Sequence, residues 1–159
     1  MQLPYFTNFP AVAASAAGRF NGLVAELLAA TAGYAAGSGR RFATGEMDVD
    51  SGYSQGQFSN IFSTAQCTPD LTPARCRSCL AHIIAGSIGF FASLSAIGGR
   101  TLAIRCTFRY ETAPFISGPL MVSLGGTPAP APAPRVNVTP AAARGIYSLC
   151  SSAEINQLF

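Results

Sequence analysis

The sequence contains no lysine and no tryptophan, one histidine, and only 11% charged residues. Typical soluble domains carry roughly 25% charged residues, so this surface depends on Ser, Thr, Asn, Gln and Gly for its polarity. The ten basic residues are all arginines spread along the chain, and the formal net charge is only +3. Because phosphate binding needs clustered cations, we expect no nucleic-acid partner. A Gly-rich nucleotide loop and the catalytic-loop and Asp-Phe-Gly motifs of kinases are also absent, so we expect no nucleotide.

The sequence supplies few groups for catalysis. Nucleophilic catalysis needs a base within hydrogen-bond reach of a Ser or Cys. The single histidine, His82, lies one helical turn beyond Cys79, and we interpret it as a packed or half-exposed helix residue rather than a ligand. Glu46, Asp48 and Asp50 are more simply a solvated turn than a carboxylate pair for sugar hydrolysis. We therefore expect no enzyme activity and no cofactor.

A chain of 159 residues holds one ordinary domain with some excess. Its longest uncharged stretch, residues 78–99, is long enough to cross a membrane, but it contains His82, several serines and several glycines. We favour a core helix with its following loop. Met1–Phe6 lacks a basic segment, and Pro4 and Pro10 interrupt the start, so we expect no secretory signal in this chain.

Hydrophobic periodicity predicts two helices. In Arg19–Ala32 the apolar residues recur at the spacing of one helix face, and the glycines from Gly33 onward end the pattern. A second helix is predicted from Thr72 and Pro73, with Thr as N-cap and Pro at the first helical position. Its core face carries Cys76, Cys79, Leu80 and Ile83.

Three strands are predicted. Arg41–Thr44 and Asn60–Cys67 have strand composition, and the acidic, Gly- and Ser-rich residues 45–59 between them are predicted to be a loop. Thr101–Glu111 alternates strictly, with Leu102, Ile104, Cys106, Phe108 and Tyr110 on the predicted core face. A strand with one apolar and one polar face favours an antiparallel sheet covered by helices on one side.

Five cysteines lie at positions 67, 76, 79, 106 and 150. Cys76 and Cys79 have the spacing of half a zinc site, but Cys67 and Cys106 are isolated and do not form a second short pair. As disulfides, Cys67 and Cys76 would join a strand end to the next helix, and Cys79 and Cys106 would tie a helix to a strand. We favour disulfides, with a zinc site as the alternative.

The motifs around these cysteines resemble a known family. Residues 61–80 read IFSTAQCTPDLTPARCRSCL and residues 98–115 read GGRTLAIRCTFRYETAPF. Together with residues 20–23 and 41–45, they resemble the ginkbilobin-homologous domain, also called the stress-antifungal or salt-stress-response domain. This domain is the repeated extracellular module of plant cysteine-rich receptor-like protein kinases. The resemblance covers residues 5–118, in a four-cysteine form whose N-terminal part we expect to be incomplete.

The resemblance implies an α+β fold with two helices packed on one antiparallel sheet of about five strands. It also implies the pairs Cys67–Cys76 and Cys79–Cys106. The expected function is a non-catalytic recognition module in plant stress or defence, located in the apoplast or on the plasma membrane as part of a receptor ectodomain. The expected partner is an extracellular protein or a mannose-type carbohydrate, with a second copy of the domain as a further possibility.

In lectin-like antifungal members, mannose is bound by an Asn, an Arg and a Glu, and the last two match Arg100 and Glu111. The early cysteine that would anchor the Asn is missing here, and Asn8 is a loose match. In a straight strand, residues 100 and 111 would lie roughly 35 Å apart, too far for one sugar. We therefore favour structural roles, with Arg100 as a surface cation and Glu111 as a partner of Arg109 or Arg41.

Residues 119–159 are expected to form a linker and a disordered tail. The segment 127–134 alternates Pro and Ala, which gives an extended chain without an apolar face. Asn137 begins an Asn-Val-Thr glycosylation sequon, although Pro140 follows it. Cys150 is either a free thiol or a partner for a cysteine of another chain.

Overall fold

The computed structural model describes residues 5–49 and 58–125. Asn137 and Cys150 lie outside the described residues. The described elements, in chain order, are β1 (Tyr5–Ala11), α1 (Ala14–Gly37), β2 (Phe42–Asp48), β3 (Asn60–Cys67), α2 (Pro73–Ser93), β4 (Ala96–Leu102), β5 (Cys106–Glu111) and β6 (Val122–Leu124).

The strands form one sheet in the order β1-β4-β5-β3-β2-β6. Neighbouring strands are antiparallel except for β2 and β6, which are parallel. The predicted architecture, two helices packed on an antiparallel sheet with disulfide bridges, is confirmed, and β6 adds a short parallel strand. Because β6 pairs with Gly45–Met47, the sheet continues past residue 118, where we expected the domain to end.

Both predicted helices are present, and α1 is longer than its apolar pattern. The extra residues are mostly Ala and Gly, which apolar periodicity does not register, yet Ala35 and Ala36 are fully buried. Alanine favours helix strongly enough to extend it on both sides. In α2, the Thr72 side chain accepts a hydrogen bond from the Arg75 amide and Pro73 is the first helical residue, as predicted.

A half-buried arginine closes the end of α1. Arg41 lies just before β2 with a positive φ of 51°. Its guanidinium donates to the carbonyl oxygens of Ala36 and Ser38 near the helix end, and to that of Leu71 just before α2. Carbonyl groups at the end of a helix lack partners within the helix, and the carbonyl of Leu71 lies in a turn. By binding these groups, Arg41 joins the end of α1 to the start of α2.

Within residues 5–49 and 58–125, α2 is the one helix whose length and composition would allow it to cross a membrane. In this fold, however, Cys76, Leu80, Ile83 and Phe91 of α2 are buried against the sheet. One face of the helix therefore packs in the core, as we expected, but residues 96–99 belong to β4 and not to the loop expected after the helix.

The long strand predicted over Thr101–Glu111 is wrong. The chain turns at Ala103–Arg105, and β4 and β5 form an antiparallel hairpin in which Leu102 pairs with Thr107. The three turn residues also shift the alternation, so that Thr101 is buried, Leu102 is half-buried and Ile104 is 80% exposed. Cys106, Phe108 and Tyr110 lie in the core as predicted. The alternation did not reveal this turn because the turn contains no Gly or Pro to mark it.

Two further strands differ from the sequence-based prediction. β2 runs on to Asp48 through residues assigned to a loop, and Gly45 lies inside it because Thr31 and Ser63 leave no room for a side chain there. β1 was not predicted. It pairs with β4 at the edge of the sheet, and its register shifts between Asn8 and Ala11, around Pro10, as expected for a proline in an edge strand.

The core lies between the helices and one face of the sheet. Phe91 of α2 meets Phe108 and Tyr110 of β5 in edge-on contacts, with ring centroids 6.3 and 5.7 Å apart. Buried hydroxyls in this layer are paired, Thr31 with Ser63 at 2.7 Å and Thr101 with Ser87 at 2.9 Å. The opposite face of the sheet, called the outer face below, carries the residues of opposite parity.

The structure bonds Cys67 to Cys76 and Cys79 to Cys106. Cys67 and Cys106 are also direct partners across β3 and β5, while Cys76 and Cys79 lie one turn apart on α2. The two bridges therefore leave the sheet from adjacent positions and reach one short segment of helix. With all four sulfurs bonded in pairs, the zinc alternative is wrong.

Replacing Cys79 with Ser should lower the free energy of unfolding by roughly 2–5 kcal/mol, because it removes a crosslink and leaves a polar group beside the core. Thermal unfolding under oxidising conditions measures this change. Ser78→Ala, at the exposed neighbouring position, is the control and should change stability little. Equal melting of the Cys79→Ser variant and the wild type would refute the structural role of this bridge.

Gly45→Ala should destabilise the protein by roughly 1–3 kcal/mol. A Cβ at Gly45 would lie 2.3 Å from Thr31 Oγ1 and 2.8 Å from Ser63 Oγ, within the buried hydroxyl pair. Gly33 of α1 has no atom within 4 Å of the corresponding position, so Gly33→Ala should be neutral or stabilising by up to about 1 kcal/mol. Urea unfolding of both variants tests the contrast, and equal effects would contradict the packing described here.

Candidate functional site

The outer face of the sheet carries a row of side chains that crosses four strands, which we call the arginine row. Its members are direct cross-strand partners, namely Phe6 of β1, Arg100 of β4, Arg109 of β5 and Thr64 of β3. Cross-strand partners project from the same face of a sheet, and neighbouring strands lie roughly 4.8 Å apart. The row therefore presents an aromatic ring, two guanidinium groups and a hydroxyl group side by side.

Arg100 and Arg109 have different surroundings. Arg100 is exposed and forms no ion pair with the described residues. The Arg109 guanidinium lies 4.1 Å from the centroid of the Phe115 ring, and its Nε donates to Glu111 Oε1 at 3.1 Å. The ring and the carboxylate together hold Arg109 in one orientation on the outer face.

Glu111 ends β5 beside the arginine row, where it pairs with Gly98 of β4 and Phe62 of β3. Only 11% of its side chain is exposed, against 39% for Arg109. A carboxylate so poorly exposed requires a partner, and Arg109 supplies the positive charge. The predicted structural role of Glu111 as a partner of Arg109 is therefore observed. Its alternative partner Arg41 instead donates to backbone carbonyls.

The hairpin brings Arg100 and Glu111 together. Because β4 and β5 are antiparallel neighbours, Arg100 faces Arg109, and Glu111 faces a residue two positions before Arg100. The separation of roughly 35 Å expected for a straight strand is wrong, and with it the geometric argument against a shared ligand. Both side chains belong to the outer face, on adjacent strands.

Sequence reasoning missed three parts of this surface. Arg109 was expected only as a partner of Glu111, although the alternation of the strand already placed both on the polar face. Phe6 was missed because β1 was not predicted, and Phe115 because it follows the last recognised strand. Phe6 is the most exposed aromatic residue among the described side chains, at 57%.

A shallow pocket of about 230 Å³ adjoins the arginine row at the hairpin turn. Leu102 and Thr107, which pair beside Arg100 and Arg109, line it together with Gln66 of β3 and the exposed Ile104. An exposed ion pair between Arg105 and Asp70 lies at the same turn and connects it to the segment before α2. The pocket is open and mainly apolar, so it extends the outer face without enclosing a ligand.

The described residues contain no cluster of three or more His, Cys, Asp or Glu that could hold a metal ion. His82 lies exposed on α2, on the opposite side of the molecule from the arginine row. The arginine row itself offers hydrogen-bond donors, positive charge and an exposed aromatic ring, which are suited to binding.

Tyr110 fixes the strand that carries Arg109 and Glu111. Its ring is buried under Phe91, and its hydroxyl donates to the Ala96 carbonyl oxygen at 3.0 Å. Burial, helped by the negative charge of Glu111, raises the pKa of the Tyr110 phenol well above its usual range. Gly99 gives the ring its space, since a Cβ there would lie 2.8 Å from it.

Comparisons with known proteins agree with this fold. Residues 8–113 match the family described as salt stress response/antifungal. The chain is 42% identical over 116 residues to cysteine-rich receptor-like protein kinase 10 of Oryza sativa subsp. japonica, which covers 72% of this chain and 17% of the kinase. It is 32% identical over 97 residues to the antimicrobial ginkbilobin-2-like protein of Castanea crenata, which covers 61% of this chain and 37% of that protein.

Among solved structures, the tandem DUF26 ectodomain of the Arabidopsis thaliana cysteine-rich receptor-like protein PDLP5 has a similar fold. The TM-score is 0.52 at 20% sequence identity, over 70% of this chain and 50% of that chain. This chain spans about a sixth of the length of the rice receptor-like kinases that it matches. The similarity therefore concerns one module of these kinases and not their whole length.

The raised pKa of Tyr110 predicts a loss of stability at alkaline pH. An unfolded tyrosine ionises near pH 10, whereas the buried phenol stays neutral, so the stabilisation is complete below about pH 10 and falls as pH rises further. Urea unfolding at pH 7 and pH 10.5 measures this loss. Tyr110→Phe should cost about 1 kcal/mol at pH 7, for the lost hydrogen bond, and should show a smaller alkaline loss. An identical alkaline loss in both proteins would contradict the assignment.

Proposed function

The chain belongs to the salt stress response/antifungal family, and on this premise we propose that it is a non-catalytic recognition module in plant stress or defence signalling. It would act in the ectodomain of a cysteine-rich receptor-like kinase or in a secreted repeat protein. Its matches to part of two rice cysteine-rich receptor-like kinases, and the fold that it shares with the tandem ectodomain of a receptor-like protein, support this assignment.

One observation supports recognition most directly, namely the position of the arginine row on the sheet. The helices cover one face of the sheet and bury the apolar residues of β3 and β5. The outer face instead carries Arg100, Arg109 and the exposed Phe6 in one row. Exposed aromatic and arginine side chains are enriched where proteins bind other molecules. We propose the outer face as the binding surface.

The two disulfides support an extracellular location. Disulfides persist in oxidising compartments such as the apoplast and are rare in the cytosol. An extracellular protein or a carbohydrate is accordingly the expected class of partner. The similar solved structure is a tandem ectodomain, of which this chain covers 50%, and this is consistent with a second copy of the domain as a neighbour.

A mannose-binding, antifungal lectin-like role is the second candidate. It is favoured by the hairpin, which places Arg100 and Glu111 on one face of adjacent strands. The antimicrobial ginkbilobin-2-like protein among the relatives supports the same possibility.

Oligosaccharide binding by the oxidised full chain tests both candidates. We expect the wild type to bind an oligosaccharide, Arg100→Gln to lose this binding and Arg77→Gln to retain it. Arg77→Gln is the control because it removes the same charge from an exposed position on α2. Binding of mannose oligosaccharides that is lost in both Arg100→Gln and Glu111→Gln would favour the lectin role, and no mannose binding would eliminate it. Binding that depends on Arg77 but not on Arg100 would contradict the outer face as the surface.

A further inference from the structure

We propose that the outer face binds an acidic saccharide, an oligosaccharide carrying uronate carboxylates, and that Arg100 and Arg109 together hold one of these carboxylates. The inference rests on the proposed function, because it assigns a ligand class to the same surface. It differs from the mannose alternative in the charge of the ligand and in the part played by Arg109.

Two like charges are paired across the sheet at the arginine row. Arg100 and Arg109 are directly opposite in β4 and β5, where Cβ atoms lie about 4.5–5.5 Å apart and like charges destabilise the sheet. Arg109 has Glu111 as its partner, while Arg100 has no ion pair among the described residues. One positive charge of the pair thus remains uncompensated on an accessible surface. A bound carboxylate would compensate it, and guanidinium groups match carboxylates with two parallel hydrogen bonds.

A neutral sugar at the arginine row would need a hydrogen-bond acceptor for its hydroxyl groups. Glu111 is the carboxylate nearest to Arg100 in the register of the sheet, but its Oε1 accepts from Arg109 Nε and only 11% of its side chain is exposed. It is therefore poorly placed to accept hydrogen bonds from sugar hydroxyls. Arg109 keeps other N–H donors, and its position over Phe115 fixes them before a ligand arrives.

The position of the two arginines within the sheet favours a saccharide over an acidic peptide. The strands that carry Arg100, Arg109 and Thr64 are all internal to the sheet, so their backbone groups are already paired with neighbours. Phe6 lies on the edge strand β1, but a peptide paired with that edge would lie about two strand spacings, roughly 10 Å, from β4 and farther still from β5, and so not over the two guanidinium groups. A saccharide can be held by side chains alone. The row supplies donors, a hydroxyl group and, in Phe6, an exposed flat ring beside Arg100.

Calorimetric titration of the oxidised full chain with a galacturonate oligomer tests the proposal. The matched ligand is the same oligomer with its carboxyl groups methyl-esterified, which removes the charge and keeps the sugar. Poly-glutamate tests for general anion or peptide binding, and a mannose oligomer of equal length tests the neutral alternative. The protein variants are Arg100→Gln, Arg100→Lys and, as the control of equal charge change, Arg77→Gln.

We expect the galacturonate oligomer to bind and the esterified oligomer to bind at least about tenfold more weakly. Arg100→Gln should weaken binding by about tenfold or more, Arg100→Lys by less, and Arg77→Gln should have little effect. Binding should also weaken with added salt, as it does for charged contacts at a surface.

Three results would overturn the proposal. They are no binding of the galacturonate oligomer, equal binding of its esterified form, and equal or tighter binding of poly-glutamate. Mannose binding that depends on Arg100, without galacturonate binding, would leave the recognition function intact and refute only the acidic ligand. Galacturonate binding that depends on Arg77 and not on Arg100 would refute the assigned surface as well.

Discussion

The position of α2 above the sheet depends on the two adjacent disulfides. Cys67 and Cys106 face each other across β3 and β5, and their bridges reach Cys76 and Cys79 within one turn of α2. The start of α2 is thereby fixed beside the ends of the two central strands, β3 and β5, and the rest of the helix runs across one face of the sheet. Phe91, near the other end of α2, then meets Phe108 and Tyr110. A chain with few charges is in this way held together by crosslinks and a close-packed core.

Because the helices cover one face of the sheet, the charged side chains of the strands lie on the other face. Once Phe108 and Tyr110 point toward the helices, Arg109 and Glu111 between and beyond them must point outward, since side chains alternate along a strand. The hairpin adds Arg100 to the same face. Arg109 then has two roles, because it neutralises the poorly exposed Glu111 and stands opposite Arg100. The uncompensated positive charge of Arg100 follows from this arrangement and not from the net charge of the chain.

The sequence predicted the features that leave a local pattern. The cysteine motif indicated the family, and alternation placed Phe108 and Tyr110 in the core. The alternation pattern failed at Ala103–Arg105, because a turn without Gly or Pro made two strands look like one. Gly45 looked like a loop residue because a strand glycine is explained only by its neighbours, Thr31 and Ser63, which are distant in sequence. Arg100 and Glu111 were identified by resemblance, but their proximity depends on strand pairing, which local patterns do not show.

The central claim is that the outer face, and specifically the arginine row, is the recognition surface. Backbone amide chemical shifts of the full chain, measured during titration with a galacturonate oligomer, test it most directly because they locate the bound ligand residue by residue. We expect the largest shift changes at Arg100, Arg109 and Thr64, with little change at Glu26 and His82 on the exposed sides of the helices. Changes concentrated on the helices, with none along the arginine row, would contradict it.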